Sequence, residues 1–266
     1  MDRQRSKNKD LNLWRAKLAQ EANRYEDMAR YMKTVAESDE AMTKDEDNLL
    51  AVAYKRLLEH KRNARRTLMA IEQKDGPTEL DKTIVQEYRS LVEQELRVLC
   101  DEVLSVIETA LMPKASDPAA RVFYWKLRGD YHRYVAEVNV AEDRSHAVNE
   151  SREAYERAGE MSRESLRPTH PLRLGLMLNY SVFLYQICQQ RRQGHQVAKQ
   201  AFDDAIAEID VLEEDSYDDS TLIMRLIRDN LSIWNQESGG SLDEPPILPA
   251  ESDNNIEDLI NNTLTP

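Results

Sequence analysis

Asn48-Leu49-Leu50-Ala51-Val52-Ala53-Tyr54-Lys55-Arg56-Leu57-Leu58-Glu59-His60-Lys61-Arg62-Asn63-Ala64-Arg65-Arg66 decides the fold of this chain. No glycine or proline interrupts it, and none follows before Gly76. Leu50, Tyr54, Leu57, Ala64, Leu68 and Ile71 recur at helical spacing and define an apolar side. Lys55, Arg62 and Arg66 are seven and then four residues apart, so they share a different side of the same helix. Lys55, Arg56, Lys61, Arg62, Arg65 and Arg66 are opposed here only by Glu59, in a chain of formal charge -13. A local excess of cations in anionic surroundings marks a place where an anion is held.

The same texture extends outward. Val85 to Met112 also lacks glycine and proline, and helix-forming residues dominate the chain. The 266 residues allow one large domain or two small ones. A hydrophobic fraction of 41% supports a core, and a charged fraction of 32% requires long helices with wide wetted faces. Helical patterning begins near Asp10 and runs to Ala22, then covers 25–37. A capping box at Thr43 and Glu46 opens the basic helix, which runs to Lys74 and stops at Asp75-Gly76-Pro77. Thr78 caps the next helix, to Met112. Asp117-Pro118 supplies an N-cap with proline in the first turn. Further helices are predicted over 118–140, 143–166, 171–188, 193–210 and 216–235. The fold class is all-α: nine antiparallel helices in stacked pairs. Residues 1–9 are expected to be a flexible N-terminus, 10–236 the helical domain, and 237–266 a disordered acidic tail with no Lys or Arg. Ile256, Leu259 and Ile260 give that tail one short amphipathic turn.

Several function classes are disfavoured. Cys100 and Cys188 stand in apolar helical contexts without metal-type spacing, as buried free thiols of a reducing compartment. No apolar run reads as a signal peptide or membrane span, and the net charge opposes general nucleic-acid binding. A cytoplasmic protein with no nucleic-acid or membrane partner is expected. His60, His132 and His146 sit among charged residues and read as surface groups. No motif points to a catalytic residue, a metal or a cofactor.

Three further segments carry polar groups suited to binding. Phe123 to Tyr134 mixes aromatics with Lys126, Arg128 and Arg133, and the pair Arg133-Tyr134 sets a guanidinium beside a phenol. In Leu174 to Phe183, Leu178 and Val182 share a face beside Asn179. In Leu226 to Trp234, Leu226, Asn230, Ile233 and Trp234 gather on one side. An Asn amide offers a donor and an acceptor to an extended backbone. Each apolar stripe taken alone also fits plain core packing.

Together these segments resemble the 14-3-3 proteins over residues 10–236. Asn48 to Lys55 is similar to one family signature and Ser220 to Trp234 to the other. Ile71-Glu72-Gln73-Lys74, Gly129 to Val138 and Pro168 to Leu176 match internal blocks. The resemblance implies a nine-helix, W-shaped dimer with an amphipathic groove in each subunit, binding phosphoserine or phosphothreonine in extended segments of partner proteins. Carried over by residue, Lys55, Arg62 and Arg133 grip the phosphate and Tyr134 donates its hydroxyl. Asn179 and Asn230 pair with the ligand backbone. Leu178, Val182, Leu226, Ile227 and Ile233 form an apolar wall with Trp234 behind it, and Lys126 lies along the groove. Leu18, Ala22, Arg24, Asp27, Ala64, Tyr88, Leu91 and Glu95 fall at the dimer seam, which joins a second copy or a paralogue.

The chain departs from the family pattern in places. Gln186 replaces a groove glutamate, Leu91 a seam lysine, and Ala64 a serine that in some members can be phosphorylated to weaken the dimer. Leu11 and Leu80 occupy an ion-pair position. A more apolar seam, insensitive to that switch, is therefore expected. The acidic tail is a candidate competitor for the groove. A tetratricopeptide-like scaffold for unmodified peptides is the alternative, though no 34-residue period supports it.

Overall fold

A computed structural model describes residues 2–74, 78–139, 141–211 and 217–238. Among these residues the chain forms nine α-helices and no strand. They fall into two compact units, divided between Ala115 and Ser116.

The first unit holds α1 (Asp2–Glu21), α2 (Tyr25–Ala36), α3 (Lys44–Glu72) and α4 (Glu79–Val106). α1 packs on α2, α2 on α3 and α3 on α4. α1 starts at Asp2 rather than near Asp10, because nothing in residues 2–9 breaks a helix. Lys9, assigned by sequence to the flexible end, is buried, and its ammonium lies 3.1 Å from Glu46. Asn23, at φ 54°, ends α1 in the left-handed region that Asn tolerates.

The capping box at Thr43 forms as read. Its backbone N–H donates to Glu46 Oε2 at 2.8 Å, and its hydroxyl accepts from the Glu46 N–H at 3.3 Å. Thr78 forms the same arrangement with Asp81. The core of this unit is built from Met28, Met32, Val35, Leu50, Tyr54 and Leu96, all essentially inaccessible. Along α3 that burial stops at Leu58: Leu57, Leu68 and Ile71 are half-buried and Ala64 is exposed. The segment expected as one helix to Met112 instead leaves α geometry at Val106. It passes through a π turn (Ile107–Leu111) and a 3-10 turn (Met112–Lys114). Pro113 cannot donate to the helix ladder, which accounts for the change.

The second unit holds α5 (Pro118–Val138), α6 (Ala141–Ser165), α7 (Pro171–Val182), α8 (Arg191–Ala207) and α9 (Tyr217–Glu237). Asp117 caps α5 through the Ala120 N–H, with Pro118 in the first turn. α5 and α6 pair along their length, and α7, α8 and α9 pack mutually. α7 ends six residues short of Cys188 and continues as a π turn (Phe183–Ile187), closed by Gln189 at φ 57°. Gly194 makes this possible. A Cβ there would meet the Ser181 carbonyl oxygen at 2.7 Å, so only glycine lets α8 approach so closely. One core cluster gathers Leu174, Leu178, Val182, Tyr185, Ile227 and Trp234. Another gathers Val122, Tyr155, Leu176 and Phe183.

No helix of the described residues is long and apolar enough to cross a membrane. The acidic tail beyond Ser238, with Ile256, Leu259 and Ile260, lies outside the described residues.

Candidate functional site

Asp130 is the polar centre of the second unit, and sequence reading missed it. Its carboxylate is buried on α5. Oδ2 accepts from the Lys126 ammonium at 2.8 Å, one turn earlier. Oδ1 accepts from the Tyr155 hydroxyl on α6 at 2.5 Å and from Asn179 Nδ2 on α7 at 2.8 Å. Burial pushes the Asp130 pKa up, but the charges of Lys126 and Arg133, with the bonds from Lys126 and Tyr155, hold it below the ordinary carboxylate range. The signal was present as Lys126 and Asp130 at i, i+4, a spacing that lets opposite charges meet on a helix.

Around this carboxylate the second-unit residues read from sequence take definite places. Arg133 is 3% exposed. It donates from Nε to the Tyr155 hydroxyl oxygen and from Nη1 to Glu137 Oε1, each at 3.3 Å. Its guanidinium lies 4.5 Å from the Tyr134 ring centroid, a cation–π stack that sets Arg133 and Tyr134 side by side. Asn179 is buried and held by Asp130, which fixes its amide orientation. Asn230 on α9 is also buried, and its Nδ2 has no hydrogen-bond partner among the described residues. Leaving such a donor unpaired costs about 1–3 kcal/mol, so it calls for an acceptor.

Tyr155 reaches Asp130 only because Gly129 sits beneath its ring. A Cβ at residue 129 would lie 2.7 Å from Tyr155 Cδ1. Gly129→Ala is expected to cost about 1–3 kcal/mol by overpacking. It should also shift Tyr155 away from Asp130. A urea denaturation series checks the first effect, and the tyrosine hydroxyl exchange rate by NMR checks the second.

Some expected roles are revised. Lys126 does not stand open along a groove: it is 6% exposed and committed to Asp130. Leu178 and Ile227 have no exposed surface and are core residues, as the plain packing reading allowed. On α9, Leu222, Leu226, Asn230 and Ile233 fall within roughly a quarter-turn of one another. Ile223, Ile227 and Trp234 occupy the neighbouring arc and belong, with Leu226, to the core cluster, against which Ile233 packs. Leu222, half-buried and one turn before Leu226, is therefore an apolar surface residue that sequence reading passed over. Val182 is 4% exposed. Trp234 is buried and stacked on Tyr185 at 4.2 Å between centroids, and the Tyr185 hydroxyl donates to Glu237. Gln186 lies in the π turn, half-buried.

His132, expected at the surface, is half-buried. Desolvation, with Arg128 nearby, lowers its pKa to about 4. Cys188, expected buried, is half-exposed and accepts from Arg152 Nη2 at 3.2 Å. Among the described residues no group of His, Cys, Asp and Glu is arranged to hold a metal ion.

In the first unit Lys55 and Arg62 lie half-buried on α3. Arg56 pairs with Glu59 at 3.0 Å, Lys61 with Glu95 at 2.8 Å, and Arg65 with Glu93 at 2.8 Å, while Arg66 bonds Asn63.

Large apolar side chains line α1 and α4 on the outside: Leu11, Trp14 and Leu18 on one, Leu80, Ile84, Tyr88, Leu91 and Val98 on the other. Their spacings of three, four and seven make each set a continuous helical stripe. Leu18, Tyr88 and Leu91 were read from sequence as seam residues. Ala22, Arg24, Ala64 and Glu95 are exposed beside them, and Asp27 is half-buried. The charged members are satisfied within the chain: Arg24 and Arg30 both bond Asp27, and Glu95 bonds Lys61.

Comparison with known proteins assigns the chain to a family. The 14-3-3 protein family model matches residues 15–235. The chain is 50% identical over 240 residues to 14-3-3 protein zeta of Bombyx mori, covering 90% of this chain and 97% of that one. It is 48% identical over 224 residues to 14-3-3-like protein 2 of Caenorhabditis elegans, covering 84% and 90%. It is 46% identical over 226 residues to human 14-3-3 protein theta, covering 85% and 92%. The chain belongs to the 14-3-3 family of non-enzymatic adaptors, and membership supports a phosphopeptide-binding role. It displaces the tetratricopeptide alternative.

Proposed function

We propose that this chain is a dimeric cytoplasmic adaptor. It binds phosphoserine- or phosphothreonine-bearing segments of client proteins and so regulates their activity, location or assembly. Lys55, Arg62 and Arg133 hold the phosphate and Tyr134 donates its hydroxyl. Asn179 and Asn230 pair with the client backbone. Leu222, Leu226 and Ile233 accept its apolar side chains, and Gln186 influences which flanking residues are accepted.

The observation that carries this reading is Asn230: a buried amide nitrogen without a partner is satisfied by a backbone carbonyl of an extended ligand. Asn179, oriented by Asp130, supports it, because a pre-set amide loses little entropy when a ligand arrives. Arg133 and Tyr134 add a guanidinium and a hydroxyl donor for phosphate oxygens.

The test is a titration with a phosphoserine peptide and its unphosphorylated twin. Phosphate-dependent contacts contribute about 1.5–3 kcal/mol each, so several of them separate the two peptides by at least about a hundredfold. Equal affinities would refute the reading. The pH dependence has a definite sign. The second phosphate pKa is about 6, so the ligand loses charge as pH falls through that value. Affinity for the phosphopeptide should weaken several-fold between about pH 7.5 and pH 5, and the twin should show no such loss.

The stripes on α1 and α4 support self-association, since so much exposed apolar surface needs cover. A second copy or a paralogue serves, and because Arg24, Asp27 and Glu95 are satisfied internally, the apolar residues supply the affinity. Sedimentation at micromolar concentration should give twice the 30.8 kDa chain mass. Leu18→Glu with Leu91→Glu should give the single chain. A wild-type monomer would overturn the proposal.

A further inference from the structure

We propose a second ligand site, within the unit that begins at Ser116: a pocket for a small amphiphilic monocarboxylate with an aromatic or branched aliphatic body. It is a half-open pocket formed by the end of α6, α7 and α8, with room of about 150 Å³. Leu174, Met177, Val197 and Ala201 give it an apolar lining. A cavity of that size with such walls admits a benzene-sized ring.

Two guanidiniums stand at its edge. Arg173 is half-buried and fixed, because Nη1 donates to the Leu166 carbonyl at 2.9 Å. Arg163 lies near enough for its charge to be felt at Arg173. Neither belongs to an ion pair among the described residues. Burial holds the Arg173 pKa below its ordinary value even though Asp204 and Glu208 pull it upward. A carboxylate entering here replaces the water that Arg173 has lost and forms charge-assisted bonds with both guanidiniums.

The opposite edge limits the ligand. Asp204 lines the pocket, and its Oδ1 accepts from Gln200 Nε2 at 2.6 Å. A ligand with one negative charge satisfies the arginines without crowding Asp204, whereas a doubly charged phosphate is repelled. This site is independent of the phosphopeptide reading, and its ligand differs in charge and size.

Phenylacetate is the probe, followed on the methyl signals of 13C-methyl methionine protein, with Met177→Leu assigning the reporter. A ligand of this size should bind with Kd of about 1 mM. The Met177 methyl should move with saturation, and a phosphoserine peptide should not reverse the shift. Phenylacetamide and benzyl phosphate should bind at least about tenfold more weakly. Arg163→Gln, a change at an exposed position, should weaken phenylacetate by about the same factor, and Ala201→Leu should abolish the shift by filling the cavity. No Met177 shift at about 10 mM probe, equal binding of the amide, indifference to Arg163→Gln, or displacement by the phosphopeptide would each overturn the proposal.

Discussion

Asp130→Ala is expected to lower the unfolding free energy by about 3–5 kcal/mol, the typical cost of breaking a buried ion pair. Lys126 would be left as a buried ammonium with no carboxylate against it, and the Tyr155 hydroxyl and Asn179 amide would each lose an acceptor. Urea denaturation followed by circular dichroism measures the loss. A change below about 1 kcal/mol would show that the network contributes little.

The stability has a known pH window. Burial raises the Asp130 pKa, but Lys126 and Arg133 pull it further down, below the unfolded value. The contribution is therefore fully present above about pH 4 and is lost only as pH falls through the folded-state value. Loss of the whole pair separates folding from binding. Lys126→Met with Asp130→Leu removes both charges together, and such replacements are often close to neutral. That double variant should regain most of the stability. It should still bind phosphopeptide poorly, because nothing then holds Asn179 and Tyr155 in place.

The extent to which the sequence revealed this molecule follows from which interactions are local. Capping at Thr43, Thr78 and Asp117 was readable because the partner is three residues away in each case. The helices were readable because their apolar spacing repeats along tens of residues. The π turns were not. The one at Phe183–Ile187 arises where the chain must accommodate α8 at Gly194, a close approach that no local pattern of residues announces. The fate of Lys126 was hidden for a similar reason. Its partner at i+4 is visible, but the burial that makes the pair inescapable comes from Tyr155 on α6 and Asn179 on α7. The α9 stripe shows the limit of reading by resemblance. The resemblance implied that Leu226, Ile227 and Ile233 form one wall, yet Leu226 and Ile227 both belong to the core cluster, with Ile233 packed against it and Leu222 half-buried on the adjoining arc.

Lys55→Glu is expected to abolish detectable binding of a phosphoserine peptide, and Arg62→Ala to weaken it by about ten- to a hundredfold. Each removes charge-assisted bonds of about 1.5–3 kcal/mol. The glutamate also adds a negative charge beside the phosphate, so its effect is larger. Neither should change the weak binding of the unphosphorylated twin, a selectivity that a folding defect could not imitate. Melting by circular dichroism should remain near wild type, since both side chains are only half-buried.

Arg65→Ala is the matched control from the same basic run. Arg65 is bonded to Glu93, which also accepts from Arg89, and Arg89 lies 3.1 Å from Glu72. Its loss should lower stability while leaving the phosphopeptide Kd within about twofold. If Arg65→Ala weakened phosphopeptide binding as much as Arg62→Ala, the basic run would act as a diffuse electrostatic surface. A discrete phosphate site requires the two to differ. Raising salt makes the same distinction. Screening weakens a diffuse field steeply over a Debye length of about 8 Å, whereas directly bonded, partly desolvated groups lose less.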